Sequence, residues 1–97
     1  PRLQADLGNK TFLMLRNHGL LVVGKTVPDT FLSMYVFEST CQIQIAAQAA
    51  GDLLFISPDI QGDTQKILAT VTKGMGGDIA WPALLRKLDK IDPGYRN

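Results

Sequence analysis

The stretch Leu15-Arg16-Asn17-His18-Gly19-Leu20-Leu21-Val22-Val23-Gly24-Lys25-Thr26 decides how this chain is read. It joins two apolar runs, Thr11 to Asn17 (TFLMLRN) and Leu20 to Val23 (LLVV), and holds the single histidine of the sequence. Short continuous apolar runs suit strands buried on both faces, although periodicity alone does not separate them from buried helix. His18-Gly19 lies between the runs as a natural turn, with Gly19 permitting a positive φ. The expected local structure is a pair of adjacent antiparallel strands with His18 at a strand end.

Downstream, Thr26-Val27-Pro28-Asp29 reads as a helix start. Thr26 is a fitting N-cap, Pro28 falls in the first turn, and Asp29 suits the positive end of the helix. No Gly or Pro interrupts the chain from there to Ala50, and Gly51 follows as a stop. A helix of that length spans about 36 Å. Phe31, Met34, Tyr35, Cys41, Ile45 and Ala49 recur at three-to-four spacing and predict its packed stripe, with Glu38 inside it. Ala46-Ala47-Gln48-Ala49-Ala50 offers small side chains that let a neighbour approach closely.

Leu53-Leu54-Phe55-Ile56 is a third strand candidate, ended by Ser57-Pro58. Gln61 to Lys73 reads as a helix with Ile67, Leu68 and Val71 inward, and Gly74-Met75-Gly76-Gly77 as a flexible break. Trp81 to Ile91 is a final helix with Trp81, Leu84, Leu85, Leu88 and Ile91 on one side, closed by a turn at Asp92-Pro93-Gly94-Tyr95. The chain thus divides into a strand pair with His18 (residues 1–26), a long helix (27–50), and a strand with C-terminal helices (51–97).

Ninety-seven residues fit one domain or part of one. At 45% hydrophobic and 20% charged, the composition is globular rather than disordered. Ten Lys and Arg against nine Asp and Glu leave a net charge of +1. That balance gives no electrostatic reason to expect nucleic acid or an anionic membrane as partner. No apolar run approaches the roughly 20 residues that cross a bilayer. Cys41 is the single cysteine, so no internal disulfide forms, and a reducing cytoplasm is the simplest compartment. The chain starts Pro1-Arg2-Leu3, with neither an initiator methionine nor a signal pattern, and reads as a portion of a longer protein.

A lone strand-end histidine is usually a hydrogen-bonded structural residue; metal ligation and acid–base work are the other readings of His18. A catalytic zinc site takes about three protein ligands. No Cys/His cluster elsewhere in the chain supplies the other two. Glu38 reads as paired with an arginine or reaching solvent, with acid–base catalysis the alternative. Cys41 reads as a small packing residue. Lys73 to Gly77 lacks the context of a phosphate loop and reads as a linker. Arg86, Lys87 and Lys90, interspersed with Asp89 and Asp92, read as a solvated face. Tyr95 and Arg96 read as a disordered end.

The twelve residues quoted at the outset resemble the class II aldolase/adducin family. The resemblance continues through Phe31, Tyr35, Glu38 and Cys41-Gln42-Ile43-Gln44, and into Leu84-Leu85-Arg86-Lys87-Leu88-Asp89. It implies an α/β fold, a three-layer α/β/α domain around a largely antiparallel sheet, of which this chain is the C-terminal part. It also implies that His18 is a ligand of a divalent metal ion, commonly zinc. The other two ligands would come from an upstream His-x-His element and the acid/base from an upstream carboxylate, and phosphate-binding loops would also lie upstream. None of these occurs in residues 1–97, so no residue here is assigned a catalytic role and the segment alone is expected to bind metal weakly or not at all.

The implied activity is that of a lyase in carbohydrate metabolism. It would act on a small hydroxy-carbonyl compound such as a sugar phosphate through metal stabilisation of an enediolate. Epimerases, a dehydratase and decarboxylases belong to the same family. The implied assembly is a homo-oligomer, a tetramer in enzymatic members. Adducin resembles the chain over the same motifs and is a cytoskeletal interaction protein, so a non-catalytic interaction module is the competing reading. C-terminal tails reach a neighbouring active site in some resembling aldolases, which is the alternative reading of Tyr95 and Arg96.

Overall fold

The computed structural model describes residues 2–72 and 76–96. The chain is mostly helical around one two-stranded hairpin. Helix α1 (Arg2–Leu7) leads into β1 (Phe12–Leu15) and β2 (Gly19–Val22). These are followed by α2 (Val27–Ala50), α3 (Pro58–Thr72), α4 (Gly77–Ile91) and a terminal 3-10 turn, Pro93–Arg96. The strands pair antiparallel with Phe12 opposite Val22, Leu13 opposite Leu21, Met14 opposite Leu20 and Leu15 opposite Gly19.

Helix α2 starts where its sequence asks. Thr26 is extended (φ −132°, ψ 158°), and its hydroxyl accepts from the Asp29 N–H at 3.2 Å. The same hydroxyl donates to Asp29 Oδ2 at 2.8 Å. The other carboxylate oxygen of Asp29 accepts the Gly77 N–H at 3.1 Å, across 48 residues of sequence. One carboxylate therefore serves the N-termini of both α2 and α4, where unsatisfied N–H groups favour negative charge. We expect Asp29→Ala to lower the stability of the intact protein by about 2 kcal/mol, from one lost hydroxyl–carboxylate bond and one unpartnered Gly77 N–H, the Thr26 cap on the residue 29 N–H being kept. Asp29→Asn should retain most of that. Urea unfolding of both variants checks it, and an alanine variant with the parent's midpoint would refute it.

Helix α2 is also the spine of the packing. Phe37 meets Phe12 of β1 edge-on, ring centroids 5.1 Å apart at 67°. Phe31 meets Trp81 of α4 at 5.4 Å and 68°. Ser33 is the one fully buried side chain among the described residues, 2% exposed. It lets neighbouring elements close on α2.

Several expectations need correction. The packed stripe of α2 runs through Thr30, Ser33, Met34, Phe37 and Cys41, whereas Phe31, Tyr35 and Ile45 of the expected stripe stay 46%, 63% and 67% exposed. Apolar residues occur on every face of this helix, so periodicity does not single out one face; the positions of the hairpin and α4 do. Leu53–Ile56 is not a strand here: a strand needs a paired neighbour, and this segment has none among the described residues, with Leu54 99% and Phe55 83% exposed. Ile67 of α3 is exposed rather than inward, while the expectations for Leu68, Val71 and residues 73–75 lie outside the described side chains and residues. Helix α4 begins at Gly77, one turn before Trp81.

The described sheet is therefore a hairpin against helices, and the three layers expected around a larger antiparallel sheet are not assembled by these residues alone. The accessible surface is 8469 Å², against about 5,500 Å² for a compact monomer of this mass. The radius of gyration is 16.5 Å, against about 12.5 Å for a compact domain of this length. None of the described apolar side chains is fully buried.

Candidate functional site

His18 sits in the turn that joins the two strands. The turn closes through the His18 N–H, which donates to the Leu15 carbonyl at 3.2 Å. Asn17 takes a left-handed φ of 54° at the third turn position, where Asn is tolerated because its short polar side chain suits that conformation. Gly19 follows with φ 143°, a value that favours glycine. The turn therefore lies at Arg16-Asn17-His18, slightly earlier than the sequence suggests, and Gly19 opens β2 instead of sitting at the apex. Backbone conformation and a closing hydrogen bond hold the base of the imidazole at the hairpin tip.

The His18 side chain is exposed and has no protein hydrogen bond among the described residues. It borders an open groove of about 580 Å³ between α1 and the hairpin. Arg2 and Asp6 contribute from α1, Leu13 and Leu15 from β1, and Arg16 joins His18 from the turn. The Arg2 guanidinium lies 3.8 Å from Asp6. Helix α1 is not among the elements expected from sequence, where its signals are this i,i+4 charge pair and two leucines in a six-residue segment.

The other candidates go elsewhere. Glu38 is exposed on α2 and accepts a hydrogen bond from Gln42 at 2.6 Å, one turn on. Cys41 is a half-buried free thiol on the packed face of α2, as suits a filler residue. Gly76 and Gly77 form the start of α4, so that part of the glycine-rich segment begins a helix. No three His, Cys, Asp or Glu side chains come together to hold a metal ion among the described residues.

The C-terminal end packs against α4, contrary to the disordered end expected of a terminus. The Tyr95 hydroxyl donates to Asp89 Oδ1 at 2.7 Å, and Arg96 Nη2 lies 2.7 Å from Asp89 Oδ2. Arg96 Nε also donates to the Tyr95 hydroxyl at 3.2 Å. The Tyr95 hydrogen bond and the charge of Asp89 raise the Arg96 pKa above its ordinary value. A carboxylate six and seven residues back, in the last turn of α4, thus anchors both residues through charge-assisted bonds, and Asp89 is not simply part of a solvated face.

Residues 1–45 match the family model described as the class II aldolase and adducin N-terminal domain. A Pseudomonas aeruginosa protein provisionally named an aldolase class 2 protein is 50% identical over 98% of this chain and 38% of its own length. A similarly named Caulobacter vibrioides protein is 43% identical over 97% of this chain and 37% of its own. Human beta-adducin is 32% identical over 87% of this chain and 13% of its own. The crystal structure of an aldolase II superfamily protein from Pseudomonas syringae superposes with a TM-score of 0.87 at 38% identity, covering 99% of this chain and 39% of that one. The chain spans under two fifths of the length of these bacterial relatives.

Proposed function

Because the chain belongs to the class II aldolase and adducin family, we propose that it supplies one metal-ligating imidazole, His18, to a divalent-metal-dependent, aldolase-like lyase. The observation that carries the reading is an exposed imidazole, free of protein hydrogen bonds among the described residues, on a hairpin tip closed by its own backbone N–H. The exposed imidazole can turn a nitrogen to an ion, and a closed turn limits where its base can move. The outer hydrogen-bond partner that fixes a ligating imidazole is assigned, with the other ligands, to polypeptide outside residues 1–97.

The donor set of these residues is incomplete. One histidine fits a zinc-type site, and the remaining ligands and the acid/base are assigned to polypeptide outside residues 1–97. When bound, the ion would supply positive charge to the oxygens of a hydroxy-carbonyl substrate, a sugar phosphate being the favoured class. His18 would hold that ion without acting as the base. The hairpin would be part of a larger, largely antiparallel sheet between helical layers.

The proposal puts the protein in the cytoplasm as a homo-oligomer, with a small-molecule substrate and neither nucleic acid nor membrane as partner. Among the described residues no helix is long and apolar enough to cross a membrane. The exposure of Ile43, Ile45, Leu54 and Phe55 supports burial of this surface by further polypeptide, whether of the same chain or of a second copy.

A second reading follows from the similarity to beta-adducin: a non-catalytic interaction module in which the hairpin is retained for packing. Metal analysis of the full-length protein, coupled to aldehyde release from phosphorylated ketoses, separates the two. We expect a bound divalent ion and cleavage that stops when the ion is chelated. Metal-free protein without lyase activity, in a polypeptide lacking an upstream His-x-His and Glu, would establish the adducin-like reading instead.

A further inference from the structure

The groove beneath the hairpin tip has an unbalanced charge. It is lined by two guanidinium groups, Arg2 and Arg16, against one carboxylate, Asp6, with the His18 imidazole beside them. That carboxylate faces Arg2 at 3.8 Å. Arg16 has neither an ion pair nor a side-chain hydrogen bond among the described residues. An unpaired arginine in water is unremarkable by itself; its placement is what gives it meaning.

Arg16 precedes His18 by two residues in one closed turn, and both border the same groove, whose walls are otherwise leucine and methionine. Its volume of about 580 Å³ is within the roughly 300–1,000 Å³ typical of small-ligand sites. Such sites combine apolar walls with a few polar groups that orient the ligand. A guanidinium presents a planar fork of donors matched to two oxygens of a carboxylate or phosphoryl group.

We propose that Arg16 contacts an oxyanion group of the substrate, adding a guanidinium to the phosphate-binding loops that the family resemblance places upstream, so that the molecule presented to His18 is an anion oriented in part by this side chain. This rests on the reading of His18 as the metal ligand for the other end of the substrate. Arg16 is a positioning residue for binding and takes no part in bond breaking. The shared chemistry of carboxylate and phosphoryl groups is what the groove recognises.

The test is titration calorimetry of metal-free full-length protein with inorganic phosphate and, separately, with acetate. Removing the metal keeps the ion from binding the anions itself. We expect saturable binding of at least one anion, weakened about tenfold or more in Arg16→Gln and less in Arg16→Lys, since a charge-assisted bidentate contact is lost in one and partly kept in the other. The anion that binds tells which oxyanion is recognised. Binding in Arg16→Gln within about twofold of the parent, well inside one charged hydrogen bond, overturns the proposal. So does the absence of saturable binding of either anion by the parent.

Zinc content is read on the same proteins as purified, before the metal is removed. Arg16→Gln should keep it and His18→Ala should lose it while still binding the anion. Zinc retained by His18→Ala would sink the metal reading and leave the role of Arg16 to the titration.

Discussion

Gly77→Ala should destabilise the intact protein by about 3 kcal/mol, toward the upper end of overpacking costs. A β-carbon built on Gly77 overlaps the carbonyl carbon of Pro28 and lies 2.5 Å from the Asp29 nitrogen and 2.7 Å from the Pro28 oxygen. All three are backbone atoms, so no rotamer change relieves the clash. Helix α4 has to retreat from the start of α2. That retreat breaks the hydrogen bond from the Gly77 N–H to Asp29 and draws Trp81 away from Phe31. The matched control is Gly62→Ala in α3, where an added β-carbon meets nothing within 4 Å. There the helix preference of alanine over glycine should leave stability equal or slightly raised. Thermal unfolding of both variants decides the matter; equal midpoints for Gly77→Ala and the parent would mean that the helix contact is looser than described.

His18→Ala should abolish metal retention while barely moving the folding midpoint. The two halves of this expectation have separate causes. Loss of one of three protein ligands should cost at least about a hundredfold in metal affinity, since even outer partners of a metal ligand cost 10–100-fold when removed. The fold should be spared because the imidazole is exposed and the turn is closed by the backbone N–H, which alanine keeps. Elemental analysis of purified full-length protein reads the first half, and unfolding of the metal-free forms the second. An unchanged metal-to-protein ratio would reject the ligand role. A large fall in the midpoint of the metal-free variant would instead make His18 a structural residue.

These two positions differ in how legible they were. His18 announced itself as the single histidine between two apolar runs, inside a motif resembling a known family. Gly77 looked like one more glycine in a loose linker. What makes it matter is Asp29, which sits 48 positions away in sequence, outside any local pattern around Gly77. A carboxylate at the start of a helix has an obvious local use, and here that use takes one of its two oxygens. The other oxygen finds its partner only once α4 is in place. The beginning of α4 was missed for the same reason. Glycine is a poor helix former, and starting the helix at Trp81 would have put Pro82 comfortably in its first turn. The actual helix starts a turn earlier and carries Pro82 inside it.

The Tyr95-Arg96 end is a similar case. Two polar residues after a Pro-Gly turn look like a fraying terminus. Asp89, six or seven residues back, turns them into an ordered cap by offering two carboxylate oxygens in reach of a phenol and a guanidinium.

Sequence alone determined the elements whose stabilising groups are neighbours along the chain. These are the hairpin of Phe12–Leu15 and Gly19–Val22, the long helix opened by Thr26 and Asp29 and ended before Gly51, and the position of His18 between the strands. Capping bonds and turn conformations act over one to four residues, so they can be read from a local pattern. Tertiary structure decided the rest: which face of α2 packs, that Leu53–Ile56 forms no strand, that Asp29 ties two helices together, and that Arg16 and His18 share a groove with α1. An all-round apolar helix, an apolar run without a pairing partner and a two-oxygen carboxylate each allow several outcomes, and only the arrival of a distant segment selects one.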